Sequence, residues 1–156
     1  MRPRAFAGHA TATTPASVEE CFALVAAVDR YPDWCGEVVR EVEVLELDPD
    51  GQPLVVRMRM HIARAGMERE FNLFLAVVAT PPSEVRLTRV TDHATNQEFR
   101  AVWELRPAHS TSVALDIDAK LRVPWYIPGH GIGDAIADAF VAAACRALGA
   151  SSPAQR

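Results

Sequence analysis

The chain has 156 residues, 49% of them hydrophobic and 23% charged, with a formal charge of −4. That length predicts one domain, large enough to hold a full core without metal or disulfide staples. Apolar residues running from Phe6 to Leu148 exclude disorder for most of the chain, and the mild acidity argues against nucleic acid as a partner, which needs a positive face.

In chain order, residues 6–13 form a short β pattern, ended by Thr14-Pro15-Ala16. Ser17 followed by Glu20 has the spacing of a capping box, so a helix should follow. Val18, Cys21, Phe22, Val25 and Val28 then keep the spacing of one buried helical face. Pro32 breaks that helix within Asp29–Trp34, because proline disfavours helix at the residue before it. A short second helical turn is expected there.

The middle of the chain reads as antiparallel strands. Val38 to Leu47 alternates, with Val38, Val42 and Val44 opposite Glu41 and Glu43. Asp48-Pro49-Asp50-Gly51 is a turn. Val56, Met58, Met60 and Ile62 then share one face, and Arg57, Arg59 and His61 the other, solvated one. From Met67 to Val77, Arg69 shares its parity with Phe71, Leu73 and Leu75. After Thr80-Pro81-Pro82-Ser83, Arg89 shares its parity with Val85 and Leu87. Gln97–Leu105 places Phe99, Ala101, Trp103 and Leu105 on one face. Val113, Leu115, Ile117, Ala119 and Leu121 alternate with Asp116, Asp118 and Lys120. Such alternation is what an antiparallel sheet with one buried face requires. Pro124–Gly133 is a Pro/Gly-rich entry to a helix over about residues 132–148, where Ile132, Ile136, Phe140, Ala143 and Ala147 line up.

The expected fold is therefore α+β: a strongly curved antiparallel sheet of about seven strands wrapped around a long C-terminal helix, with two short helices after the first strand. Residues 1–150 form the domain, and 151–156 a frayed tail. One helix cannot touch every strand of a twisted sheet. The volume left between them is an expected apolar ligand cavity.

The opening Met1-Arg-Pro-Arg-Ala-Phe is too short of apolar residues for a signal peptide, and no stretch is long enough for a membrane span. Cys21, Cys35 and Cys145 lack the spacing of a zinc site or disulfide framework, so a reducing cytoplasm is expected. Cys21 and Cys145 read as small core residues. Cys35 lies in a turn and is expected to be accessible. The histidines show no metal-ligand spacing, so neither metal nor cofactor is expected. The run Gly129-His130-Gly131-Ile132-Gly133 follows a proline rather than a strand, so it reads as a helix entry and not a phosphate cradle. Lys120 is the only lysine among the 16 lysines and arginines. This fits GC-rich codon usage.

The segment Thr14–Val25, Asp29-Arg30-Tyr31-Pro32-Asp33-Trp34, the strand Ala101-Val102-Trp103-Glu104-Leu105-Arg106-Pro107 and the helix entry together resemble the START-like or Bet v 1-like superfamily. Within it, the chain is similar to bacterial members of the SRPBCC, polyketide cyclase/dehydrase type. Cys21 stands where those relatives usually carry valine. The resemblance implies a helix-grip fold over nearly the whole chain. It implies no single function, because the superfamily includes lipid carriers, aromatase/cyclases, coenzyme Q-binding and ribosome-associated proteins.

Arg69 and Arg89 are the most informative candidates. On the apolar parity, each either enters the cavity or reaches solvent at its strand end. In the aromatase/cyclases, the resemblance implies that a cavity arginine polarises a carbonyl or holds an enolate. Tyr126 and His130 are candidate proton-transfer partners. Trp34, Met58, Met60, Phe71, Leu73, Leu87, Phe99, Trp103, Ile117, Ile132, Ile136 and Phe140 read either as core or as the wall around a ligand. Three functions remain open: binding of a lipid, isoprenoid-like or aromatic molecule; polyketide cyclisation through a cavity arginine; and an interaction module of the ribosome-associated or coenzyme Q-binding type.

Overall fold

The computed structural model describes residues 4–64, 66–90, 98–121 and 131–150. The chain runs β1 (Arg4–Thr14), α1 (Val18–Ala26), a single 3-10 turn (Val28–Arg30), α2 (Tyr31–Trp34), β2 (Val39–Leu47), β3 (Pro53–Arg64), β4 (Met67–Thr80), β5 (Glu84–Arg89), β6 (Glu98–Pro107), β7 (Thr111–Leu121) and α3 (Ile132–Ala150). The seven strands form one antiparallel sheet in the order β1-β7-β6-β5-β4-β3-β2. This is the expected α+β helix-grip fold, a curved sheet closed by a C-terminal helix. No helix among the described residues is long and apolar enough to cross a membrane.

Local chemistry sets the elements. The Ser17 hydroxyl accepts from the Glu20 amide at 3.1 Å, and the Glu20 carboxylate accepts from the Ser17 amide at 3.4 Å. Two amides that the first turn of α1 would leave orphaned are thereby satisfied. Pro32 sits in the first turn of α2, where its missing N–H costs nothing. The turn before β3 closes on Asp48, whose carboxylate accepts from the amides of Asp50 and Gln52 at 2.9 Å each. Gly51 there holds φ at 82°, a conformation glycine adopts without penalty.

The parity reading holds along β3 to β7. Val56, Met58, Met60 and Ile62 are buried, as are Phe71, Leu73, Leu75 and Val77. So are Val85, Leu87, Phe99, Ala101, Trp103, Leu105, Val113, Leu115, Ile117, Ala119 and Leu121. The strand β2 departs from simple alternation. Register shifts on either side of Val42–Val44 bring Val39, not Arg40, onto the core face. A bulge adds one residue and so flips the parity beyond it. The outermost Leu47 is exposed.

The closing helix α3 buries a wider arc than one line of residues. Ala137, Val141, Ala144 and Leu148 join Ile132, Ile136, Phe140 and Ala143, whereas Ala147 is only half-buried. It lies chiefly along β1 and, less closely, β7. Glycine makes that approach possible. A Cβ on Gly8 would collide with the backbone of Gly133, and one on Gly133 with the backbone of Ala7. The contact is locked by the His9 amide, which donates to the Asp134 carboxylate at 3.0 Å.

Two local expectations need correction. Cys35 is not accessible but 1% exposed. The turn that holds it folds back on itself: its amide bonds the Tyr31 carbonyl at 2.7 Å, and its own carbonyl accepts from Val38 and Val39. Burial pushes its thiol up to about 12 from an ordinary 9.0. His61 does point away from the core face, yet its side chain is only 11% exposed. Arg40 packs against it, with Nη2 at 3.1 Å from the ring Nδ1.

Candidate functional site

An aromatic cluster fills the space between α2, β6 and α3. Tyr31 meets Trp34 and Phe140 edge-on at 5.0 and 6.1 Å, and Trp103 meets Trp34 and Phe140 at 6.4 and 6.1 Å. Edge-on geometry sets the positive ring edge of one against the negative face of another. The Tyr31 hydroxyl donates to the Val25 carbonyl at 2.6 Å, so the phenol also ties α2 back to α1. Full burial pushes its pKa upward, which keeps it protonated. The Trp34 indole N–H is buried without a hydrogen-bond partner among the described residues.

Among the described residues, two clefts have mainly apolar linings. The larger, of about 780 Å³, lies at the sheet end formed by the start of β1, the end of β5, the start of β6 and the end of β7. It is lined by Phe6, Arg89, Phe99 and Ala119 together with the exposed Glu98, Arg100, Asp118 and Lys120. Arg100 and Asp118 stand opposite each other in register and form an ion pair at 2.7 Å. Glu98 and Lys120 form the next cross-strand pair. Charges of both signs thus line the cleft beside Phe6, Phe99 and the half-buried Arg89.

The smaller cleft, of about 320 Å³, lies along the seam between the first turns of α3 and the β2–β3 edge.

The candidate residues divide among these places. Arg89 and Phe99 border the sheet-end cleft, and Ile132 and Ile136 border the seam. Met58, Met60, Phe71 and Leu73 are packed in the continuous core, as are Leu87, Trp103, Ile117 and Phe140. Trp34 packs partly buried against that core. Arg69 is exposed, reaching solvent at its strand end, and its guanidinium lies 5.6 Å from the centre of the Phe71 ring. The two arginines are therefore not brought to one site. Tyr126 and His130 lie outside the described residues.

Sequence reasoning missed Phe6 and Ala119 as parts of the cleft, since they read as ordinary inward positions. It also missed Arg40 as the cover of His61. No local signal marks that pair, because 20 residues of β2, turn and β3 separate them in the chain.

The chain's residues 14–143 match the model of the family described as polyketide cyclase / dehydrase and lipid transport. No curated protein matches the chain by sequence. Solved structures with the same fold include a START superfamily protein from Mycobacterium smegmatis, at 20% identity and a TM-score of 0.73, covering 94% of this chain and 99% of that one. A protein from Thermus thermophilus aligns at 15% identity and a TM-score of 0.68, over 94% of this chain and 100% of its own. An aromatase/cyclase from a Streptomyces species aligns at 16% identity and a TM-score of 0.61, over 94% of each chain. With the family model spanning most of the sequence and the helix-grip architecture beneath it, the chain belongs to the polyketide cyclase / dehydrase and lipid transport family.

Proposed function

We propose that the chain binds a hydrophobic small molecule, a lipid-like, isoprenoid-like or aromatic metabolite, in the sheet-end cavity. The observation that carries this reading is Arg89, half-buried in a cavity of about 780 Å³ beside Phe6 and Phe99. That volume is in the range of ligand pockets, which run roughly 300–1,000 Å³ and combine apolar walls with a few placed polar groups. Phe6, Phe99 and Ala119 supply the apolar contact, and Arg89 orients an oxygen of the ligand through its forked donors. The three free thiols suit a reducing cytoplasm as the place of action.

A cyclase reading draws on the same arginine and on the family's name. It also needs a proton-transfer group within hydrogen-bond reach of the substrate. Tyr31 does not serve, because its hydroxyl is committed to the Val25 carbonyl and is fully buried. The candidates for that role, Tyr126 and His130, lie outside the described residues, and the described residues support binding.

The test is uptake of an uncharged apolar dye, Nile red, with native mass spectrometry of the purified protein. Dye fluorescence should rise on mixing and fall with Arg89→Ala or Phe99→Ala. A folded protein that takes up no dye and carries no small molecule would sink the reading.

A further inference from the structure

One side chain bridges the polar end of the seam cleft. Arg40, at the start of β2, donates through Nη1 to the Gly36 carbonyl at 3.0 Å and through Nη2 to His61 Nδ1 at 3.1 Å. Its guanidinium thus ties the turn before β2 to β3. Arg40 and His61 line the seam with Ile62 and Ile136, and they also line a polar cleft with Glu68, Arg69 and Glu70. The bridge is common to an apolar cleft and a charged one.

Hydrogen-bond logic fixes the protonation state that this bridge needs. A guanidinium only donates, so His61 Nδ1 accepts and the ring is neutral, with its proton on Nε2. A proton on Nδ1 would set N–H against N–H and one cation against another. The acids of β4 favour the charged ring: Glu68 stands 3.6 Å from Nε2, and Glu70 lies opposite His61 in register. The other charged groups nearby are engaged elsewhere. Arg59 of β3 faces Glu41 at 3.7 Å, Arg69 of β4 lies over Phe71, and Glu37 of the turn pairs with Arg146 at 3.2 Å. From α3 the seam receives Ile132, Ala135, Ile136 and Ala139, which carry no charge.

We propose that Arg40 is a proton-released strap across the seam, closed while the His61 ring is neutral and released when Nδ1 takes up a proton. Histidine is the side chain suited to such a change between about pH 5 and 8. The sign follows from the hydrogen bond. The closed form needs a bare Nδ1, so it holds at the alkaline end of that window and is lost at the acidic end. On release the imidazolium turns to Glu68 and Glu70, and Arg40 swings towards solvent. The His61 amide still donates to the Val38 carbonyl at 2.7 Å, a bond with no titrating group. The turn therefore stays tied to β3, and the change is confined to the guanidinium and to access to the seam behind it. The seam and the sheet-end cleft share no lining residue, so the strap stands or falls separately from the function proposed above.

The experiment is a titration from about pH 8 to about pH 5, followed by magnetic resonance of protein with ¹⁵N-labelled histidine and arginine and ¹³C-labelled isoleucine methyl groups. At the alkaline end His61 should be the Nε2–H tautomer. On acidification the Arg40 guanidinium signals and the Ile62 and Ile136 methyl signals should shift with the same midpoint as the His61 ring. Relaxation of those methyls by a soluble uncharged nitroxide should rise over the same range. His61→Gln, whose side-chain carbonyl accepts from Arg40 at every pH, should hold all these signals at their alkaline positions. Glu68→Gln should leave the shift in place, since the proton goes to the ring. An Nδ1–H tautomer at the alkaline end, Arg40 signals that stay still while His61 titrates, or an unchanged nitroxide effect would each overturn the proposal. So would a shift that survives His61→Gln or one that is lost with Glu68→Gln.

Discussion

Gly8 of β1 and Gly133 of α3 cross so closely that neither position has room for a side chain. Gly8 stands opposite Ile117 in the β1–β7 ladder, so the crossing presses α3 against the sheet edge as the helix begins. The helix lies chiefly along β1, and its first turns border the seam on the β2–β3 side.

Gly133→Ala should therefore destabilise the protein by about 3 kcal/mol or more, at the upper end of what overpacking costs, because the obstacle is backbone and cannot change rotamer. Urea unfolding checks this. Gly8→Ala should behave alike, whereas Gly51→Ala, with open space around it, should show only the smaller penalty of a left-handed backbone.

Ser17→Ala removes the side-chain acceptor of the Glu20 amide and frees the Glu20 carboxylate that answers it. A loss of about 1 kcal/mol is expected, with Ser17→Asp recovering most of it. Chemical denaturation of the three proteins measures the effect.

Trp103 is 1% exposed, touches Trp34 and Phe140 edge-on and lies at the centre of the core. Trp103→Ala should cost about 3–5 kcal/mol. Tyr31→Phe keeps the ring but leaves the Val25 carbonyl without its donor, at a cost of about 1–3 kcal/mol. Thermal unfolding should rank the two in that order.

Stability should fall in alkali. Burial raises the thiols of Cys21 and Cys35 to about 11 and about 12, from 9.0, and raises the Tyr31 phenol as well. Each group holds its proton more tightly folded than unfolded. Its contribution is complete below about pH 9 and is lost progressively as pH rises towards the folded value. Unfolding free energy measured from pH 7 to 11 should be level at first and then decline. Cys35→Ala should flatten part of that decline; a curve that rises above pH 9 would contradict the assignment.

Most of the fold is legible in the order of the residues. Period-2 alternation in β3 to β7, the Ser17–Glu20 cap and the Asp48–Gly51 turn are local signals, and local signals survive in the sequence. The β2 bulge is not legible there, because it depends on which register of β3 buries Val39. Neither is the burial of Cys35, which packs into the core with residues distant in the chain.

The candidate site divides in the same way. Arg69 and Arg89 share the apolar parity of their strands, and the order of residues suffices to say so, since alternation is a property of the backbone. Packing across the fold is what leaves Arg69 in solvent over Phe71 while Arg89 is half-buried at a cleft with Phe6 and Phe99. Parity says which side a residue faces. The close approach of α3 to β1 runs through Gly8 and Gly133, which are 125 residues apart. The same long-range packing lays Arg40 over His61, and so covers a histidine whose position in the alternation reads as surface.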